Sequence, residues 1–368
     1  YWPAIKNIWG VTLVTKSFSV DISTLIFKSK PMLAAALKLL FAHTDPSNLV
    51  ELSNNEKFPM LRFSYSSSLQ RKLHLNRNVR IMRIARLGQL NQEKPAVMIS
   101  DTEAVFVDDL VADFNRVELE NGAISKLAKA DLTTRKKVSI SDFRIGSPVA
   151  RPTKVICVGL NYAKHAVESG MTPPPEPVIF MKAPDTVIGP NDDVVVPPNS
   201  TKTDYEVELC VVIGKNALYL KSPEEAAEYI LGYTISQDVS ERHWQVERSG
   251  QWVKGKSFPS FNPMGPWIVT ADELKSKNLD PNNLSLSCTI DGEVRQNSRT
   301  NDLIFGINHC VWYISQFMEL KAGDVINTGT PEGVGMGFKP EKYLKGGENI
   351  VTTIEGIGSI KNKVVNYK

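Results

Sequence analysis

The stretch TDYEVELCVVIG, residues 203–214, sets three acids into a run that otherwise reads as a buried strand. Strand side chains alternate between faces, so Asp204, Glu206 and Glu208 share one face and Tyr205, Val207 and Leu209 the other. Continuing the count places Cys210 and Val212 on the acidic face, which therefore turns from carboxylate to apolar within one step. That is not the pattern of an ordinary solvent face. Two carboxylates held together in a partly dry site resist ionising unless a cation or a proton compensates them.

A cation would call for a third hard ligand from another strand. The stretch YTISQDVSERHWQ, residues 233–245, offers Asp238 where an apolar run gives way to a loop. Glu206, Glu208 and Asp238 together suit Mg2+ or Mn2+, with Ca2+ a further oxygen-seeking alternative. None of the five histidines stands at a zinc-like spacing to another, which argues against zinc. On spacing alone, acids that line a strand end and are satisfied by Lys or Arg remain an equal alternative.

At 368 residues, with 42% hydrophobic and 23% charged residues, the composition is that of a soluble globular protein of two or three units. No apolar run reaches the roughly 18 residues that would span a membrane. The net charge of +3 is unevenly spread. Residues 1–81 carry 11 Lys and Arg against 4 Asp and Glu, and the other 287 residues carry 32 against 36. The mildly acidic body gives no reason to expect a nucleic-acid partner. Cys157, Cys210, Cys288 and Cys310 lie far apart without CxxC spacing and read as reduced core thiols, which favours a reducing, cytoplasmic setting.

Residues 1–81 read either as a basic targeting leader, with a mitochondrial destination as the alternative location, or as a poorly ordered extension ahead of a start near Met82. From Met82, the short apolar runs MRIARLG, PAVMIS and AVFVDDL form a small β-rich N-terminal domain, 82–150, that ends near IGSPVARPTK. The main domain, 151–368, is strand-rich. SLSCTI and EVRQ are joined by Asp291-Gly292, a dipeptide suited to a tight hairpin. Ser222, Pro223 and Glu225 read as a capping box opening a helix, and apolar spacing at Ile304, Ile307, Val311, Ile314 and Met318 predicts another over roughly 302–319. With no strict βαβ alternation and no regular repeat, the expected fold is mixed α/β, rich in β, with helices packed outside the sheet.

Six stretches, VGLNYAKHAVESG, PVIFMKAPDTVIGPND, TDYEVELCVVIG, SQDVSERHWQ, KGKSF and GDVINTGTPEGVG, resemble in order those of the fumarylacetoacetate hydrolase family. The likeness is strong over about residues 150–368 and looser from Met82 to 150. It is nearest to the smaller fumarylacetoacetate hydrolase domain-containing proteins, whose bacterial relatives carry labels such as ureidoglycolate lyase or hydroxyheptadienedioate isomerase. The resemblance implies a mixed β-roll core, a homodimer, and Mg2+ held by Glu206, Glu208 and Asp238. It also implies that Lys256 places a cation beside an enol or enolate oxygen and that Arg242, Gln245 and Thr330 lie near the substrate, Thr330 and neighbouring amides holding its carboxylate. His165 would be the base, oriented by Glu168 three residues on. His243 and Trp244 read as packing, Lys254 as a solvated lysine that shares the Lys256 face if the strand is extended, and Pro259 and Ser260 stay outside the catalytic set.

These expectations converge on an Mg-dependent enzyme for small 2-oxo or 1,3-dicarbonyl acids. The chemistry would be acylpyruvase-like C–C hydrolysis or oxaloacetate tautomerisation or decarboxylation, with ureidoglycolate lyase or hydroxyheptadienedioate isomerase activity as the alternative. A catalytically silent scaffold of the same fold is the competing class.

Overall fold

The computed structural model describes Val50–Leu52, Leu61–Phe63 and residues 82–368 except 169. The chain divides into two units, Tyr1–Arg77 and Asn78–Lys368. In the first, Val50–Leu52 and Leu61–Phe63 pair antiparallel. The leader or extension expected over residues 1–81 otherwise lies outside the described residues.

The second unit is built on a large mixed sheet. Its main strands are β1 (Arg83–Leu87), β2 (Lys94–Met98), β3 (Glu103–Phe106), β4 (Lys137–Ser139), β5 (Val155–Gly159), β6 (Val178–Lys182), β7 (Val207–Ile213), β8 (Ile230–Gln237), β9 (Asn262–Thr270) and β10 (Val325–Asn327). They lie in the order β4-β3-β2-β1-β9-β8-β7-β10-β5-β6, so the strands of 82–150 extend the same sheet through β1 and β9. Most pairs are antiparallel, but β10 and β5 run parallel. A second sheet orders Val194–Val196, Gly358–Asn366, Asn349–Ile354, Ser285–Ile290 and Glu293–Arg299. Its last two strands form the expected hairpin, with Asp291 at φ 48° and Gly292 at φ 82°, as a type I′ turn requires. The architecture is the strand-rich mixed α/β fold expected.

β7 owes its continuous apolar reading to burial on both faces. Val207, Leu209, Val211 and Ile213 join one core with Leu286, Cys288 and Ile350 of the second sheet, whereas Cys210 and Val212 join another with Val155, Cys157 and Ile268. All four cysteines are free and buried. No helix among the described residues is long and apolar enough to cross a membrane.

The helices are shorter than the sequence predicts. They include α1 (Ala163–Glu168), α2 (Pro223–Ala226), α3 (Arg242–Val246), α4 (Val253–Lys256) and α5 (Ile307–Ser315). α5 replaces the longer helix expected over 302–319. Leu303 bridges to Tyr162, and the amides of Ile304 and Phe305 donate to the backbone and side-chain oxygens of Asn161, so this backbone is used before a helix can begin. The capping box is also incomplete: the Glu225 carboxylate accepts from Lys221 N at 2.7 Å, and the Ser222 side chain caps no amide of α2.

Gly232 on β8 faces Val269 and Thr270 of β9 so closely that a Cβ there would strike the Val269 carbonyl oxygen. Gly232→Ala is expected to destabilise the protein by about 1–3 kcal/mol through overpacking, read as a lower urea midpoint with an unchanged slope.

Candidate active site

The acids of the opening stretch meet Asp238 because β7 and β8 are antiparallel neighbours, Glu208 facing Ser236 and Val207 facing Gln237. Asp238 follows β8 directly, and its amide donates to Glu206 O at 2.9 Å. Glu206 precedes β7, where two glutamines take over from strand pairing. Gln237 accepts from Glu206 N at 2.8 Å, and Gln296, from the second sheet, accepts from Val207 N at 2.9 Å. Glu206, Glu208 and Asp238 are buried and each offers an oxygen within 4.8 Å of the others'.

Cations already stand among these acids. Lys256 Nζ donates to Glu206 Oε2 and Asp238 Oδ2, each at 2.7 Å, and Arg242 Nη1 pairs with Glu206 Oε1 at 2.7 Å. Lys182, at the end of β6, pairs with the other Asp238 oxygen and donates to Val239 O. Glu208 alone of the three acids has no ion-pair partner among the described residues; it accepts from Gly329 N at 2.7 Å.

Protonation follows from this arrangement. Burial pushes the Glu206 carboxyl up, but the Lys256 and Arg242 charges more than reverse this and hold it at about 2. Burial, with Asp238 and Glu206 alongside, drives Glu208 well above the usual carboxylate range. Burial opposes the charge on both lysines. For Lys256 the two acids prevail and raise it, whereas for Lys182 burial prevails and lowers it. A buried all-oxygen set with one uncompensated member fits a hard divalent cation.

Arg242 and Gln245 lie on α3 and line the same pocket, as do His165, Lys256 and Thr330. Arg242 Nε pairs with Asp204 at 2.8 Å and Nη1 also donates to Gln245 Oε1 at 2.9 Å, but Nη2 is buried without a partner. His165 Nδ1 lies 3.2 Å from Glu168 Oε2. Lys256 sits on α4, not on the extended strand considered for it, so Lys254 does not share its face. The Lys254 ammonium instead donates to Arg248 O. Trp244 packs edge-on against Phe258, with centroids 6.2 Å apart, and carries the Arg248 guanidinium 4.1 Å from its ring centre, while the half-buried His243 bonds Glu247 and Arg248. Ser260 is structural, accepting from Val195 N at 2.8 Å.

The Gly-rich loop after β10 binds the protein's own acids. Gly329 N donates to Glu208, Gly333 N to Glu168 at 3.0 Å, Gly335 N to Asp204 at 2.6 Å and Met336 N to Asp204 at 3.0 Å. Gly329 and Gly333 hold φ of 104° and 97°, where a side chain would be strained. The Thr330 hydroxyl donates to Val207 O at 3.0 Å and accepts from Gln296 at 2.8 Å, so its hydrogen is already committed. Sequence reasoning missed Lys182 and the loop's hold on Asp204. The signal for Lys182 was a lone charge closing the apolar run VIFM.

Residues 154–365 match the family described as Fumarylacetoacetate (FAA) hydrolase C-terminal. A Burkholderia multivorans protein named "Putative hydrolase" is 44% identical over 280 residues, covering 75% of this chain and 96% of its own. Among solved structures, a fumarylacetoacetate hydrolase from Exiguobacterium antarcticum is similar at 34% identity and TM-score 0.68, covering 78% of this chain and all of that one. A 2-hydroxyhepta-2,4-diene-1,7-dioate isomerase from Mycobacterium marinum is similar at 32% identity and TM-score 0.62, covering 77% and 98%. The chain belongs to the fumarylacetoacetate hydrolase family, whose fold and enzymatic character its relatives share.

Asp204→Ala takes the partner from Arg242 Nε and from two loop amides, leaving the guanidinium only its contacts to Glu206 and Gln245, and is expected to cost about 3–5 kcal/mol, measured by denaturant unfolding. Glu208, raised in the cation-free protein, favours folding while protonated, and that contribution is lost as pH rises through its folded value. A hard divalent cation taken up by the trio should therefore raise the melting temperature more at high pH than at low pH, and calorimetry should record proton release on binding.

Proposed function

We propose that the protein is a divalent-metal-dependent enzyme that acts on small 2-oxo or 1,3-dicarbonyl acids. The products would arise by C–C hydrolysis or by proton movement between keto and enol forms. The observation that supports this reading best is the buried trio Glu206, Glu208 and Asp238, with Glu208 uncompensated, in one pocket with the unpartnered Nη2 of Arg242. Mg2+ is the ion we assign to the trio. When bound it supplies Lewis acidity toward chelating substrate oxygens.

The chain's own groups divide the remaining work. Arg242 Nη2 and the free amide hydrogens of Gln245 bind a substrate carboxylate, a task that the committed Thr330 hydroxyl cannot perform as a donor. Lys256 keeps a fixed positive charge beside the oxygen on which negative charge develops. With Nδ1 held by Glu168, His165 presents Nε2 to take a proton from water for hydrolysis, or from carbon for tautomerisation. Hydrolysis needs this activated water and isomerisation does not. Ureidoglycolate lyase or dienedioate isomerase activity uses the same constellation. A silent scaffold draws support from the lysines that already neutralise Glu206 and Asp238, but it leaves Glu208 and Arg242 Nη2 unexplained. A homodimer belongs to the same proposal and is read by light scattering.

Acylpyruvates, oxaloacetate, ureidoglycolate and hydroxyheptadienedioate assayed with and without Mg2+ test the reading, with turnover expected only in its presence. Glu208→Gln should weaken Mg2+ binding by about tenfold or more. His165→Asn should lower hydrolytic kcat by about 10²–10⁴-fold while sparing Mg2+ binding. Inert substrates together with no Mg2+ affinity would remove the proposal.

A further inference from the structure

The polar end of the pocket carries the chemistry; its apolar lining, which includes Phe180, Trp252, Met171 and Met336, has no assigned role. Trp252 immediately precedes α4, and its carbonyl accepts from Gly255 N at 3.0 Å. Its ring meets Phe180 edge-on, with centroids 5.3 Å apart and planes at 67°. The Phe180 ring centre in turn lies 5.2 Å from Lys256 Nζ. The benzo edge of the indole also lies against Gly159, which lines the same pocket and is the last residue of β5. A Cβ there would overlap Trp252 Cζ3 and stand 3.1 Å from Cη2.

Gly159 is paired with Val178 in the sheet and has no left-handed backbone. Glycine at this position provides space rather than backbone freedom, and the indole occupies that space, so a side chain here would have to displace the ring. Trp252 is only half-buried, so the ring is a wall of the pocket as well as a packed group.

We infer that Trp252, seated on Gly159, is a specificity-determining residue. Its ring limits the apolar group a substrate carries beyond its two chelating oxygens, admitting short aliphatic chains and turning away aryl ones. This rests on the function proposed above. The glycine sets how far the ring stands back, so the two positions act in opposite directions. Shortening residue 252 opens the pocket, and enlarging residue 159 pushes the indole into it.

The test measures binding of three chelating acids to the full chain in saturating Mg2+ by calorimetry: oxalate, which has no tail, 2-oxobutanoate and phenylpyruvate. Trp252→Leu should improve the affinity for phenylpyruvate relative to 2-oxobutanoate by about tenfold. Gly159→Ala should weaken 2-oxobutanoate by about tenfold, and Gly159→Ala combined with Trp252→Phe should recover it. Oxalate should change by less than about threefold throughout, because it touches only the polar end. A Trp252→Leu variant that gains nothing toward phenylpyruvate, or a Gly159→Ala variant that keeps wild-type affinities, overturns the inference while oxalate binding leaves the functional reading standing. Should Trp252→Leu not fold, Gly159→Ala decides alone. A wild type that binds no oxalate in Mg2+ overturns both.

Discussion

The structure depends on balancing charge where there is almost no water. Asp204, Glu206, Glu208 and Asp238 are all buried, and so are Lys182, Arg242 and Lys256. Isolated, any one of them would carry a desolvation penalty of several kcal/mol. The fold avoids this by bringing opposite charges from separate stretches: the entry to β7, the exit of β8, α3, α4 and the end of β6. Each cation neutralises an acid it could not reach if these elements moved apart. Three cations face four acids, so Glu208 is left without a cationic side chain and burial beside Asp238 and Glu206 favours its protonated form.

The same constraint explains why a glycine-rich loop follows β10. Carboxylates that lack a cation can be satisfied by backbone N–H groups, provided the chain turns so that several point the same way. The 329–336 segment does this for Glu208 and Glu168, and it adds two amides to Asp204, which Arg242 already pairs. A turn designed only to reverse the chain would not need amides directed at three acids. The loop also couples the parts of the pocket, since Glu168 orients His165 while Asp204 holds Arg242.

Much of this was legible in the sequence, and the remainder was hidden for identifiable reasons. Period-two alternation placed Glu206 and Glu208 on one face, and Asp238 stood out as an acid ending an apolar strand. Asp291-Gly292 announced its hairpin because only a φ-positive pair fits that turn. The large sheet's strand order was not legible, because pairing β9 with β1 joins residues far apart in the chain. Neither was α5's late start, which depends on Asn161, some 144 residues away, claiming the backbone ahead of it. Lys182 escaped notice because a strand-terminal lysine is ordinarily solvated, and only the fold reveals that Asp238 awaits it. Composition gave no sign that a loop's amides would be occupied by internal acids rather than a ligand.

A buried network of this kind is a poor means of stabilising a fold, since well-packed apolar residues of similar volume often do as well or better. Its presence beside a pocket therefore requires another reason. A purely structural network would be closed, each donor and acceptor matched. This one is open at two places, the uncompensated carboxylate of Glu208 and the unpartnered Nη2 of Arg242, and both belong to the same pocket lining. One opening lacks a positive charge and the other lacks an acceptor. A hard cation carrying an acidic, oxygen-rich molecule supplies both at once, so the defects of the network match in sign and kind the ligand pair that would complete it.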